Sequence, residues 1–167
     1  GSRNEEKAVA AANTVRVAVP DASVQGKSNK EAVRLADIVF ITVPYGGHRS
    51  ILEELGKELK GRLVVDLVVP LSFTRDGVRA LEVGEGSVAE QAQLLLPDSS
   101  VVSAFHHLSS SHAQKVDHDL DGDILVCGND VEARKRVANL IGLIPGLRAI
   151  DCGPLFLSRY IEPFTAL

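Results

Sequence analysis

The chain has 167 residues, 45% of them apolar and 24% charged, the balance of one folded domain; it excludes a disordered tail, a coiled coil or a collagen-like repeat. Basic side chains number 18 and acidic ones 22, a net charge of −4, which argues against a nucleic-acid partner because grip on a phosphate backbone rests on clustered Lys and Arg. No apolar run is long enough to cross a membrane, the two cysteines are too few for a disulfide scaffold, and nothing resembles a signal peptide, so a cytoplasmic protein without a membrane partner is expected. Met is absent even at position 1, and the chain is expected to be cut at its start.

Residues 4–13 read as a helix that opens on a capping Asn4, with Glu5 and Glu6 in the first turn where the helix dipole favours acids. Residues 29–36 form a second, short helix. The β-branched run Asp37-Ile-Val-Phe-Ile-Thr-Val43 is a strand that ends at Pro44. Residues 48–60 set Ile51, Leu52, Leu55 and Leu59 on one helical stripe, and Gly61 stops it. A second strand, Arg62-Leu-Val-Val-Asp-Leu-Val-Val69, ends at Pro70. Ser87 with Glu90 three residues on is a capping-box pattern for a helix over 87–96. Strands follow over 101–105, 123–128 and 147–153, with a helix over 130–144 between the last two and a helix-like segment over 155–167. Apolar strands alternating with helices predict an α/β fold with a mainly parallel sheet flanked by helices.

The opening Gly1-Ser2-Arg3, with a helix carrying Lys7 directly after it, matches the segment beyond the second strand of an NADP-binding Rossmann unit, where a guanidinium fork grips the 2′-phosphate. Taken alone, the tripeptide favours a plainer reading, a cloning remnant ahead of a solvated helix. No Gly-x-Gly-x-x-Gly turn occurs, so a Rossmann reading implies that the first βα unit is lacking. His106, His107, His112 and His118 cluster with Asp117, Asp119 and Asp121, but their spacing fits no zinc motif, and no metal is expected. Cys127 and Cys152 sit in apolar strands and read as core.

Taken together, these pieces resemble the NADPH-dependent reductases of the deazaflavin coenzyme F420. The likeness runs through Gly1-Ser2-Arg3 with Lys7, Ile41-Thr-Val-Pro44 with Tyr45, Val64-Val-Asp-Leu-Val-Val-Pro-Leu71, Ser103-Ala-Phe-His-His107 and Asp151-Cys-Gly-Pro-Leu155 with Ser158-Arg159 and Leu167. The resemblance implies a Rossmann-like NADP-binding domain over 1–153, its first unit incomplete, then the start of a C-terminal helical, dimer-forming element over 154–167. It implies an oxidoreductase that passes a hydride between NADP(H) and coenzyme F420, acts on small-molecule cofactors and forms a homodimer. It assigns Ser2, Arg3 and Lys7 to the 2′-phosphate, and Val43, Pro44, Tyr45, Val69 and Pro70 to the adenine and nicotinamide ribose side. Ala104, Leu108 and Ser110 would lie against the stacked rings, and His106 would bond the deazaflavin head. Arg159 and Thr165 would lie near the two cofactors. For His106 the plainer alternative is a strand-end histidine satisfied by backbone, and for Arg159 an exposed helix arginine. Two further readings stay open: a metalloreductase-like domain, and a non-catalytic truncated Rossmann-like fragment with an unpaired sheet edge that self-associates.

Overall fold

The computed structural model describes residues 1–75, 77–114 and 119–166. Helix α1 (Glu5–Ala18) is capped by Asn4, whose side chain accepts the Lys7 N–H, and α2 (Asn29–Leu35) is opened by a reciprocal capping box between Ser28 and Glu31. Strand β1 (Ile38–Ile41) leads into α3 (Tyr45–Leu59), and β2 (Leu63–Asp66) into a hairpin of β3 (Leu71–Thr74) and β4 (Gly77–Ala80). Helix α4 (Val88–Leu95) precedes β5 (Ser100–Ser103), and a short α5 (Ser110–Ala113) precedes β6 (Gly122–Gly128). Helix α6 (Val131–Ile141), β7 (Leu147–Gly153), a single 3₁₀ turn and α7 (Ser158–Phe164) complete the order.

Among the described residues the main sheet has the order β1-β2-β5-β6-β7. Only β5 and β6 run antiparallel within it, so the expected mainly parallel sheet is present. Side chains alternate between its faces, as the period of a strand demands. Val64 and Val101 face one core, packed by Leu52, Leu55 and Leu59 of α3 and Ala89 and Ala92 of α4. Leu63, Val65 and Val102 face the other, with Ala133, Val137 and Ile141 of α6. A strand buried on both faces must be apolar throughout, which is why these runs stand out in the sequence.

Several boundaries differ from the sequence pattern, each for a local reason. Helix α1 runs on to Ala18, its last turn tied down by the Arg16 guanidinium, which donates to Val24 O at 3.0 and 2.6 Å. Helix α3 starts at Tyr45, three residues before the expected 48, because Tyr45 packs on the core and carries the glycine pair into the first turn. At α4, Ser87 accepts the Glu90 N–H as expected, but the Glu90 carboxylate turns to the Ser87 hydroxyl (2.9 Å) instead of the cap backbone. Residues 155–167 do not form one helix: a 3₁₀ turn precedes α7. The β3–β4 hairpin and α5 carry no strong hydrophobic period, and their side chains are mostly exposed.

Candidate functional site

Open parallel sheets bind ligands beyond the carboxyl ends of their strands, where loops separate and helices begin. Here the ends of β1, β2 and β5 surround a cleft of about 980 Å³. Val43, Pro44 and Tyr45 wall it after β1, Leu67 and Val69 after β2, and Phe105, His106 and Leu108 after β5. Leu71, Phe73 and Leu81 of the hairpin segment and Ser110 of α5 close its outer side. Past Val43, Pro44 and Gly46 the cleft continues into a hollow of about 590 Å³ that ends at Ser2, Arg3 and Asn29. Ser2 is fixed there by its N–H, which donates to Lys27 O at 3.1 Å in a single parallel bridge. Arg3 stands exposed at the rim.

The deep end of the cleft is unusual in two ways. Phe105 has φ 66, a left-handed conformation that costs a bulky residue about 1–2 kcal/mol. Next to it, His106 is 8% exposed, and neither ring nitrogen has a hydrogen-bond partner among the described residues. Burial pushes the His106 ring down to about 4 against the pull of the Asp66 carboxylate, so the imidazole is neutral at physiological pH. A neutral imidazole can donate one hydrogen bond and accept another, and this ring belongs to a residue of the cleft wall. The C-terminal segment braces this corner. His107 Nε2 donates to Ile161 O at 3.1 Å, Phe164 meets the His107 ring edge-on, and the Thr165 hydroxyl donates to His106 O at 3.4 Å.

Behind the cleft wall lies a polar chain inside the core. His48 and Asp66 are both fully buried, with His48 Nε2 2.7 Å from Asp66 Oδ2. Gln91 Nε2 donates to Glu85 at 3.0 Å, which turns its Oε1 toward His48 Nδ1 at 3.4 Å. Both ring nitrogens therefore face acceptors, an arrangement satisfied by the imidazolium form. Burial pulls the His48 pKa down, but the hydrogen bond to Asp66 and its charge outweigh that, and the value stands above the ordinary one. Glu162 of α7 is 1% exposed and accepts the Val88 and Ala89 N–H groups at 2.8 and 3.0 Å, at the positive end of α4. Burial pushes its carboxyl up to about 7 in spite of those donors. The sequence pattern does not single out His48, Asp66 or Glu162. One signal is present: an acid inside the apolar run Val64-Val65-Asp66-Leu67-Val68 needs a buried partner.

The family described as "NADP oxidoreductase coenzyme F420-dependent" matches residues 1–70. The F420-dependent NADP reductase of Methanocaldococcus jannaschii is 43% identical across the whole of this chain, which spans 78% of that protein. The chain belongs to the F420-dependent NADP reductase family. Rat Metalloreductase STEAP3 is 30% identical over 80% of the chain but is matched over only 26% of its own length, so the reductase likeness is the fuller one. A solved chain from Arthrobacter sp. FB24, 23% identical, shares the fold with a TM-score of 0.79, covering 97% of this chain and 76% of that one.

Of the residues that the reductase resemblance singled out, the structure gathers Val43, Pro44, Tyr45, Val69, His106, Leu108 and Ser110 on the main cleft, with Ser2 and Arg3 in the adjoining hollow. Ala104 is fully buried beneath the cleft, Pro70 is buried beside Val69, and Thr165 touches the site through the His106 carbonyl. Lys7 is exposed on α1 and lines neither hollow. Arg159 lies elsewhere: it pairs with Glu90 at 2.7 Å across the α4–α7 contact. His118, Asp117 and Leu167, also singled out, lie outside the described residues. Among the described residues no three His, Cys, Asp or Glu side chains are grouped as a metal ion would require.

Proposed function

We propose that this protein transfers a hydride between NADP(H) and coenzyme F420. One observation carries the reading: a continuous groove runs from Arg3 to a buried His106, unpartnered among the described residues, in a chain 43% identical over its whole length to an F420-dependent NADP reductase. When bound, the two cofactors supply the two-electron chemistry themselves. The chain's residues have three tasks. Arg3 and Ser2 hold a phosphate at the outer end, where the guanidinium fork favours the phosphorylated dinucleotide. Pro44, Val69 and Leu108 give flat rings apolar walls and keep water out. His106 offers one donor or acceptor to a polar ring edge, filling a bonding capacity that the described residues leave open.

The same proposal includes the division of the chain into a cofactor-binding part over 1–153 and a helical element over 154–167 that joins two copies. Phe156, Tyr160 and Phe164, exposed by 48, 69 and 59%, support a homodimer through that element. A cytoplasmic location is consistent with two unpaired cysteines, one of them buried.

The deciding experiment monitors hydride transfer from NADPH to the oxidised deazaflavin, with NADH as control. Transfer from NADPH, weakened about tenfold or more by Arg3→Ala while NADH is little changed, supports the proposal. No transfer in the parent protein, or equal losses for the two nicotinamides, overturns it.

A further inference from the structure

His48 lines neither the cleft nor the adjoining hollow, yet it is the centre of the polar chain buried behind the cleft wall. Its partner, Asp66, is the last residue of β2, and both oxygens of that carboxylate are in use. Oδ2 meets His48, while Oδ1 accepts the Val68 N–H at 3.0 Å. The Asp66 carbonyl accepts the Ala104 N–H at 3.2 Å. One residue thus ties down two cleft walls, residues 67–69 and the segment that carries His106. Beyond the last paired residue of a strand, backbone N–H groups run out of ladder partners, and a side chain can hold one in a fixed place, as Asp66 does for the Val68 N–H.

A buried ion pair is a poor way to gain stability, because two apolar side chains of similar volume avoid the desolvation of both charges. Its effect here is geometric. His48 belongs to α3, whose first turn itself lines the cleft through Tyr45 and Gly46. Gripping Asp66 therefore fixes the distance between the wall after β1 and the wall after β2.

We propose that His48 is a positioning residue of the hydride-transfer site: by holding the Asp66 carboxylate against the Val68 N–H, it sets the wall against which the nicotinamide ring lies. This rests on the hydride-transfer function proposed for the cleft. A misplaced wall slows transfer between rings that must meet face to face, while leaving most of the binding contacts intact.

The test compares His48→Gln, which keeps a donor near the position of Nε2, with His48→Leu, which removes it. Three quantities are read in the full protein: kcat for hydride transfer, the Kd for NADPH, and exchange of the Val68 amide proton. The expected result is a kcat about tenfold or more below the parent in His48→Leu, a Kd within about threefold, faster Val68 exchange, and recovery of at least threefold in kcat with renewed protection in His48→Gln. Equal kcat and equal Val68 exchange in the two variants would overturn the assignment. If His48→Leu fails to fold, His48→Leu/Asp66→Val removes both buried polar groups together. A well-folded double variant with parental kcat overturns the proposal, and one with the low kcat supports it. A parent protein that transfers no hydride counts against the proposed function instead, and the Val68 exchange comparison then still decides whether His48 holds the wall.

Discussion

At the scale of single residues, the cleft concentrates local arrangements that stability alone would not select. Phe105 sits at positive φ, and beside it His106 buries two polar nitrogens without a partner among the described residues. A buried, unsatisfied polar group costs about 1–3 kcal/mol, so His106→Leu should raise the unfolding free energy of the cofactor-free protein by an amount of that order. The same variant should lower turnover, because the site loses a polar contact for a ring edge. Thermal melts without cofactor, set beside kcat, check both halves; a lower melting temperature with unchanged turnover would show that the ring is a satisfied structural histidine. His106 was legible in the sequence only through resemblance, since a lone histidine after a strand has no pattern of its own. Val43, Pro44 and Val69 were legible as strand ends, because a β-branched run stopped by proline marks one, and their place beside a cofactor came from the resemblance. His48 and Asp66 lie 18 positions apart on a helix and a strand, and no local spacing links them. Their meeting depends on how α3 packs across β2, which is a property of the tertiary structure.

Elements were legible in proportion to their burial. Strands β2 and β5 are buried almost throughout, and their apolar runs announce them. The hairpin β3–β4 is held by backbone bonds and largely exposed, so its sequence carries little period and does not announce a strand pair, although Phe73 closes the cleft. The placement of α1 shows how one element's seat reaches the site. Gly26 lies flat against the backbone of Ala8 and Val9, with no room for a Cβ. Two residues on, Ser28 caps α2, and Lys27 O holds the Ser2 N–H. Gly26→Ala must therefore lift α1 from this segment and move Ser2 and Arg3 with it. The expected cost is about 1–3 kcal/mol in stability, typical of overpacking against backbone that cannot yield. Affinity for NADPH should fall several-fold more than affinity for the deazaflavin, because the displaced residues lie at the far end of the groove. Parallel titrations with each cofactor decide this, and equal losses would place the effect on the fold as a whole.

For the whole molecule, the buried ionisable groups make stability depend on pH with opposing signs. Burial pushes Glu162 up to about 7, so its contribution is full below its unfolded value near 4.5 and is lost as the pH rises through 7. The His48 value is also raised, and it too loses stabilisation as the pH rises past its folded value. His106 is depressed to about 4, so the neutral ring favours the folded state increasingly as the pH rises from 4 toward 6.5 and no further. Surface carboxylates such as Asp123, Asp130 and Asp151 are held low by an arginine or by capping bonds, and their stabilisation is lost as the pH falls through their folded values. Between about pH 4.5 and 6.5 the loss at Glu162 and the gain at His106 largely cancel. Above that window the gain at His106 has ended while Glu162 and His48 still lose protons. Stability should therefore be greatest in mildly acidic solution and decline toward alkaline pH. Glu162→Gln isolates the main contributor. Relative to its own value at about pH 6, the variant should keep about 1 kcal/mol more stability at about pH 8 than the parent does. Urea unfolding midpoints at the two pH values measure the difference, and identical declines in parent and variant would show that the bond between α7 and the start of α4 does not titrate in this range.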